Sequence, residues 1–436
     1  MTIGAMTGLF IGTLLIGLLT GLPVAFVLIG ISILFIFIFA SPLIAYAGVF
    51  VFFKTITTDI FIAAPLFVFM AYVLQFSGIA AALYETMYKW FGGLRGGLAM
   101  GTVAICTLLA AMTGLGATGV VTMGVIALPE MLKRGYNKSM AIGCIPFGGA
   151  LGPLIPPSVL MIIVGGFASL SIGRMFIGGV FPGLLMAALA IIYIGVRCYR
   201  QPEAGPALAP EERASWSEKF KSLQGVMAPI ILIVLVIGSI YTGICTPSEA
   251  GGIGAFGALI CAAIYRQLNW QNLRQAGLGT VRLVAMVMWL LIGGGCFSTL
   301  LGATGVGHFI SGLLTGLPVG TMGVLIVMMV IGLTLGMFMD GAAITMICIP
   351  VFMPVVYQLG LDPLWFGLLF TMNMIIGYIT PPFGMNLFYM KGLVPKDISM
   401  MDIYRSIIPY VVISIIVLIL CIVFPQILLW LPNKMI

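Results

Sequence analysis

A chain of 436 residues that is 61% hydrophobic and only 7% charged has too little charge to cover the surface of a water-soluble globule, so it reads as a polytopic membrane protein. Its formal charge of +7 is spread among loops, which points to membrane topology and away from nucleic acid. The 8 cysteines are scattered, form no CxxC pair and lie mostly in apolar segments, the pattern of free core thiols and not of a disulfide framework.

Residues 1–10 carry no Lys or Arg and no cleavage site follows, so the first apolar run is expected to be a true span and not a cleaved leader. Runs of about 20 residues suffice to cross a bilayer. Spans are predicted at 3–20, 22–40, 60–78, 139–168 and 175–196, with a pair of shorter helices at 97–112 and 118–132 joined by TGLGATG at 113–119. A charged, Pro-rich stretch at 201–224 then reads as a solvated cytoplasmic connector with a short interfacial helix. Beyond it the series recurs, with spans at 226–243, 249–265, 279–301, 364–392 and 406–430, and a helix pair at 319–337 and 342–358 joined by MDGAAI at 339–344.

A shift of 225 residues lays Pro129 on Pro354, Gly135 on Gly360, Gly152 on Gly377, and the IPP of 155–157 on the TPP of 380–382. Upstream, SGI at 77–79 faces TGV at 304–306, and TGLP at 20–23 faces TGICTP at 242–247. Internal duplication of this kind is a recurrent plan in secondary transporters. The expected fold class is therefore an all-α polytopic membrane protein made of two repeats, 1–200 and 225–436. Each repeat has five spans, a re-entrant hairpin (97–132 and 319–358) and a broken helix (139–168 and 364–392). Helices of 16 to 19 residues could nearly cross, so length alone leaves two full spans open for each hairpin. Either way an odd number of spans inserts the second copy upside down.

Charge supports inversion. KRGYNK at 133–138 holds Lys133, Arg134 and Lys138, whereas its counterpart YQLGLDPLWF at 357–366 holds no Lys or Arg; Lys391, Lys396 and Arg405 follow the fourth span of the second copy, against Arg174 alone in the first. Under the positive-inside rule both termini are then expected outside the cytoplasm.

Proline pairs inside apolar helices remove backbone donors and hold a break open. Freed carbonyls can turn to a cation, and half-helix N-termini to an anion. Asp340, at the second tip, is the acid this map places deep in the bilayer, where a carboxylate is costly unless paired or bound to a cation. Na+ is the simplest ligand; protonation, or a structural hydrogen bond at the tip, would also satisfy it. Thr380, Asn386 and Asn373 lie near it on this map, although a lone polar side chain on a helix is more often a packing bond. Leu115 stands opposite Asp340 in the first copy, leaving Thr113, Thr118 and Ser158 with backbone carbonyls there.

Other signals are weaker. GLGATG at 114–119 matches a dinucleotide-binding spacing without the βαβ context it needs. His308, the sole histidine, has no partner cluster for a metal or a Ser-His-Asp site. Glu249 after TPS reads as a helix cap, and Trp90, Trp365 and Trp430 as interfacial anchors. A channel, an intramembrane hydrolase and a pure scaffold are the competing classes; no nucleophile and base face each other, and a scaffold has no need of duplicated broken helices.

ALPEMLKRGY followed by LGPLIPPS, then MDGAAITMICIPVFMP followed by IGYITPPFGMNLF, resembles the large membrane subunit of tripartite ATP-independent periplasmic (TRAP) transporters, and the resemblance covers essentially the whole chain. It implies a secondary active importer of the bacterial inner membrane, not an enzyme, coupled to a Na+ gradient. Its partners would be a small four-helix membrane subunit and a periplasmic substrate-binding protein, and its cargo an organic acid such as a dicarboxylate, keto acid or sugar acid. A transport domain of hairpins and broken helices would move as an elevator against a scaffold. The implied Na+ ligands are Gly114, Gly116 and Thr118 with Gly152, Ile155 and Ser158 at the first tip, and Asp340 with Gly377 and Thr380 at the second. Thr113, Pro156, Pro157, Pro381, Pro382 and Asn386 are the candidates for substrate contact. Many members carry serines at the first tip, where this chain has TGLGAT.

Overall fold

The computed structural model describes residues 2–39, 50–55, 57–114 and 116–435, which form helices and connecting turns with no strand among them. Leu115 and Ala40, the end of the second predicted span, lie outside the described residues. Helices α1 (Ile3–Leu19), α2 (Val24–Phe39), α3 (Ala63–Phe76) and α4 (Ile79–Phe91) precede the first tight pair, α5 (Gly97–Thr113) and α6 (Gly116–Lys133). The first broken helix is α7 (Lys138–Ala150) with α8 (Val159–Phe167), followed by α9 (Ile172–Arg200). After the connector come α10 (Trp216–Tyr241), α11 (Pro247–Ile264), α12 (Trp270–Thr304) and α13 (Val306–Thr315). The second pair is α14 (Gly320–Gly336) and α15 (Gly341–Gln358), the second broken helix α16 (Pro363–Ile379) with α17 (Met385–Lys391), and the last long helix α18 (Met400–Val423). From α5 and α14 onward the same five elements recur at shifts of 223 to 228 residues.

Six helices among the described residues (α9, α10, α11, α12, α15 and α18) are long and apolar enough to cross a membrane, and the pair α3 and α4, bent by 63°, would make a seventh. The first two predicted spans are helices of 17 and 16 residues, roughly 26 and 24 Å long at 1.5 Å per residue. The hairpin arm α15 passes the same test at 18 residues.

Two helices escaped the sequence reading. α4 and α13 both start at a glycine in the left-handed region, Gly78 (φ 75°) and Gly305 (φ 74°), where a Cβ would be disfavoured. These are the two glycines of the SGI and TGV landmarks. α4 buries Ile79, Leu83 and Thr86 and turns Glu85 outward; the three-to-four-residue spacing marks an amphipathic surface helix. A hydropathy average hides it, because only one face is apolar.

The helices form two layers. In the first, α3 packs on α11 and α12, α2 on α12, and α4 on α10; in the second, α5 and α6 pack on α7, α18 on α7, and α14 on α16. Within the second layer the two series run antiparallel. Lys138, which opens α7, sits 2.6 Å from Asp397 beyond the end of α17. Trp365, near the start of α16, donates its Nε1–H to the Cys421 carbonyl near the end of α18, 3.0 Å away. That bond buries Trp365, so it is not an exposed interfacial ring, whereas Trp430 is exposed. All eight cysteines are free and seven are buried, and Thr246 with Glu249 forms the expected capping box at α11.

The connector departs from a solvated linker. The Leu208 N–H donates to the Gly92 carbonyl (2.8 Å), the Gly96 N–H to the Gly205 carbonyl (2.8 Å) and the Asn137 N–H to the Ala204 carbonyl (3.1 Å). Ala204 and Leu208 are buried. The Gly-rich turn between α4 and α5 leaves backbone groups without helical partners, and the connector supplies them. Arg134 anchors the far end: its guanidinium donates to Glu130, Glu212 and the Tyr88 hydroxyl, each at 2.6 Å. With Arg134 and Glu212 part-exposed, such a network contributes on the order of 1 kcal/mol. Replacing Arg134 with Gln should therefore speed cleavage of the connector by a Glu-specific protease about fivefold; unchanged cleavage would show that the network does not hold it.

Candidate functional site

Between the two layers lies a cavity of about 750 Å³, within the usual range for ligand sites, and both hairpin tips reach it. The second layer contributes Gly114, Gly116 and Thr118 from the first tip, Asp340 from the second, and Asn386 and Tyr389 from α17; the first layer contributes α2 and the middle of α12.

Each tip is seated on its own broken helix by glycine. Gly114 has φ +60°, and a Cβ there would collide with the Pro157 carbonyl oxygen. Gly116 and Gly119 lie against Gly149, with 3.1 Å from their notional Cβ atoms to its carbonyl oxygen and Cα respectively. At the second tip, a Cβ on Gly377 would stand 2.8 Å from the Gly336 backbone. Backbone meets backbone at both places, which only glycine allows.

Asp340 is the N-cap of α15. Its Oδ2 accepts the Ala342 N–H at 2.9 Å, and the Tyr378 hydroxyl sits 3.4 Å from its Oδ1 while accepting the Gly341 N–H at 3.0 Å. The carboxylate is thus oriented by main chain and by a phenol, with no basic residue among the described residues of the cavity wall. Tyr378, two residues before the TPP break, was not among the expected site residues; its position in the last turn of α16 is the signal that marks it.

Of the other expected residues, Asn386 joins the first tip instead of the second. Its Nδ2 donates to the Pro146 carbonyl of α7 at 3.1 Å and lies 3.8 Å from the notional Cβ of Gly116, because α17 packs on α6 and α7. Asn373 bonds the Met329 carbonyl at 2.7 Å, a packing contact between α16 and α14 away from Asp340. Gly152, Ile155, Pro156, Pro157 and Ser158 are buried behind the first tip. There the Ser158 hydroxyl donates to the Pro153 carbonyl (2.5 Å) and caps α8 by accepting the Met161 N–H (3.2 Å). Thr113 donates to the Leu109 carbonyl (2.8 Å) and Thr380 to the Ile376 carbonyl (2.6 Å). Pro381 and Pro382 are partly or fully exposed, and the Pro382 carbonyl accepts the Tyr404 hydroxyl at 2.5 Å. Both proline pairs carry a cis peptide bond, Pro156–Pro157 and Pro381–Pro382. Among the described residues no three His, Cys, Asp or Glu side chains gather to hold a metal, so any cation here is held by carbonyls, hydroxyls and the single Asp340 carboxylate.

A membrane chain with paired hairpin tips and paired broken helices around one cavity has the build of a transport permease. The family described as the tripartite ATP-independent periplasmic transporter, DctM component, matches residues 11–427, and the chain belongs to that family. It is 32% identical over 375 residues to the C4-dicarboxylate TRAP transporter large permease protein DctM of Pseudomonas aeruginosa, covering 85% of this chain and 86% of that one. It is 32% identical over 373 residues to the ectoine/5-hydroxyectoine large permease UehC of Ruegeria pomeroyi (85% and 86%). It is 30% identical over 374 residues to the 2,3-diketo-L-gulonate large permease YiaN of Escherichia coli (86% and 86%). In fold it resembles the YdaH transporter of Alcanivorax borkumensis, with a TM-score of 0.64 at 14% identity over 97% of this chain and 99% of that one. The chain is thus a multi-pass TRAP transporter large permease and not an enzyme.

The glycine contacts generate a stability test. Gly114→Ala and Gly377→Ala should each lower the apparent melting temperature of the purified protein by a few degrees, since overpacking a tight contact costs about 1–3 kcal/mol. Gly8→Ala, where nothing lies within 4 Å, should not. Equal melting curves for all three variants would show that the tips are not seated on the breaks.

Proposed function

We propose that this permease drives Na+-coupled import of a small organic acid across the bacterial inner membrane. It would work with a small four-helix membrane subunit and receive its substrate from a periplasmic binding protein. The carrying observation is Asp340, a carboxylate on a cavity wall without Lys, Arg or His. A charge at membrane depth needs a counter-charge, and a cation entering from solution supplies one. The first tip offers the complementary feature: the first turn of α6 holds no acid, so its N-terminal N–H groups favour an anion. Cation at the second tip and anion beside the first is the arrangement a symporter needs.

The placement of the cavity favours an elevator. Its walls come from two layers, one carrying both tips and both breaks, so the site would travel with that layer against a scaffold of α1–α4 and α10–α13. The antiparallel series within the moving layer fit inverted repeats, with both termini outside the cytoplasm.

Asp340→Asn tests this. Asparagine retains the N-cap, so the variant should keep its elution profile and helix content while losing at least about 100-fold of Na+-driven uptake, the effect of removing a charged partner worth roughly 3 kcal/mol. Undiminished Na+-dependent uptake by the variant would reject Asp340 as the coupling ligand.

A further inference from the structure

The transport reading leaves the kind of acid open, and the cavity wall narrows it. Among the described residues, Asp340 is the single charged side chain on that wall. If one cation is matched by Asp340, the positive character left for the substrate is that of the first tip, where the acid-free N-termini of α6 and α8 meet, and, at most, one further cation. The neutral donors are equally few. The Tyr378 hydroxyl is already engaged with Asp340 and Gly341, and the Asn386 amide with Pro146. That leaves the hydroxyls of Thr118, Tyr72 and Tyr389 and the indole N–H of Trp289, which line the cavity and have no side-chain hydrogen bond among the described residues. The two helix termini converge at the first tip and serve one carboxylate there, while a second carboxylate at the far wall would have only hydroxyls and one indole N–H.

The rest of the wall is apolar, including the part contributed by the tip-bearing layer. Val159, Leu160 and Ile163 line the cavity from one face of α8, spaced as neighbours on a helix are. Leu160 also abuts the second tip, with 3.2 Å from its Cδ1 to the notional Cβ of Gly341. Met385 continues this surface on α17, and Trp289 closes it from the scaffold side. A carboxylate pressed against it would lose its hydration without a replacement partner, whereas an aliphatic or aromatic body would gain from the contact.

We propose that the substrate is a monocarboxylate with an apolar body, its anionic end at the first tip and its body on the surface made by α8, Met385 and Trp289. This rests on the cavity being the transport site. A compact C4-dicarboxylate, with an anionic group at each end, would set one of them on that surface.

The experiment uses the full-length chain in lipid nanodiscs, in Na+ and in K+, with three probes: 3-phenylpropionate, succinate and the zwitterion ectoine. Binding is read from thermal stabilisation. In Na+, 3-phenylpropionate should bind on the order of 10-fold more tightly than succinate or ectoine, the effect of burying a ring. Leu160→Asn should abolish most of that preference. Should Leu160→Asn not fold, Leu160→Ala and the probe ranking of the parent chain decide the matter. Succinate or ectoine binding as tightly as 3-phenylpropionate overturns the substrate class and leaves Na+-coupled transport standing. No Na+-dependent stabilisation by any probe overturns the substrate class; absence of Na+-driven uptake of every acid in the reconstituted assembly is what would overturn the transport reading.

Discussion

Main chain cannot stay unpaired inside hydrocarbon, and most of this architecture follows from that constraint. Each proline pair frees backbone groups in a helix that would otherwise bond internally. The first break shows how they are enclosed: every residue from 151 to 158 is buried, Ser158 ties Pro153 within the gap to the first turn of α8, and the Gly114 tip lies against the Pro157 carbonyl. Tip and break are one unit, since neither backbone could lie at that depth without the other. The second copy solves the same problem with Gly336 against Gly377 and with Tyr378 bridging to Asp340 and Gly341.

The backbone devices were legible in the sequence, because proline and glycine act through the main chain and keep their meaning wherever they occur. Both breaks, both tips and the recurrence near 225 residues follow from IPP, TPP and their neighbouring glycines. What escaped depends on which face of a helix meets what. α4 and α13 are half apolar and vanish in an average over all faces, and Tyr378 gains its role from a fold that sets the last turn of α16 beside the second tip. Asn386 was expected near Asp340 because both lie in the second copy. The antiparallel packing sends α17 to α6 and α7 instead, and chain proximity cannot anticipate that exchange. The connector reads as solvated from its prolines and charges, while its attachment runs through main-chain N–H and carbonyl groups that composition does not reveal.

The two copies have diverged most where chemistry would be divided between them. At the second tip the carboxylate caps its own helix, so the positive end of α15 is already partly answered. At the first tip no acid occupies the opening turn of α6. The two recurring tips thus present unlike helix ends to one cavity, and a single aspartate makes the difference.

The same asymmetry marks the turns that lead into the two hairpins. The connector bonds the Gly92 and Gly96 turn, the loop at Asn137 and, through Arg134, the end of the first hairpin. The corresponding turn before α14 also has glycines, Gly316 and Gly320, and among the described residues its main-chain bonds are local, from Gly316 to Gly312, Leu317 to Leu314 and Val319 to Leu317. One turn is thus strapped by main-chain hydrogen bonds from a distant segment, while the other relies on its own helix ends.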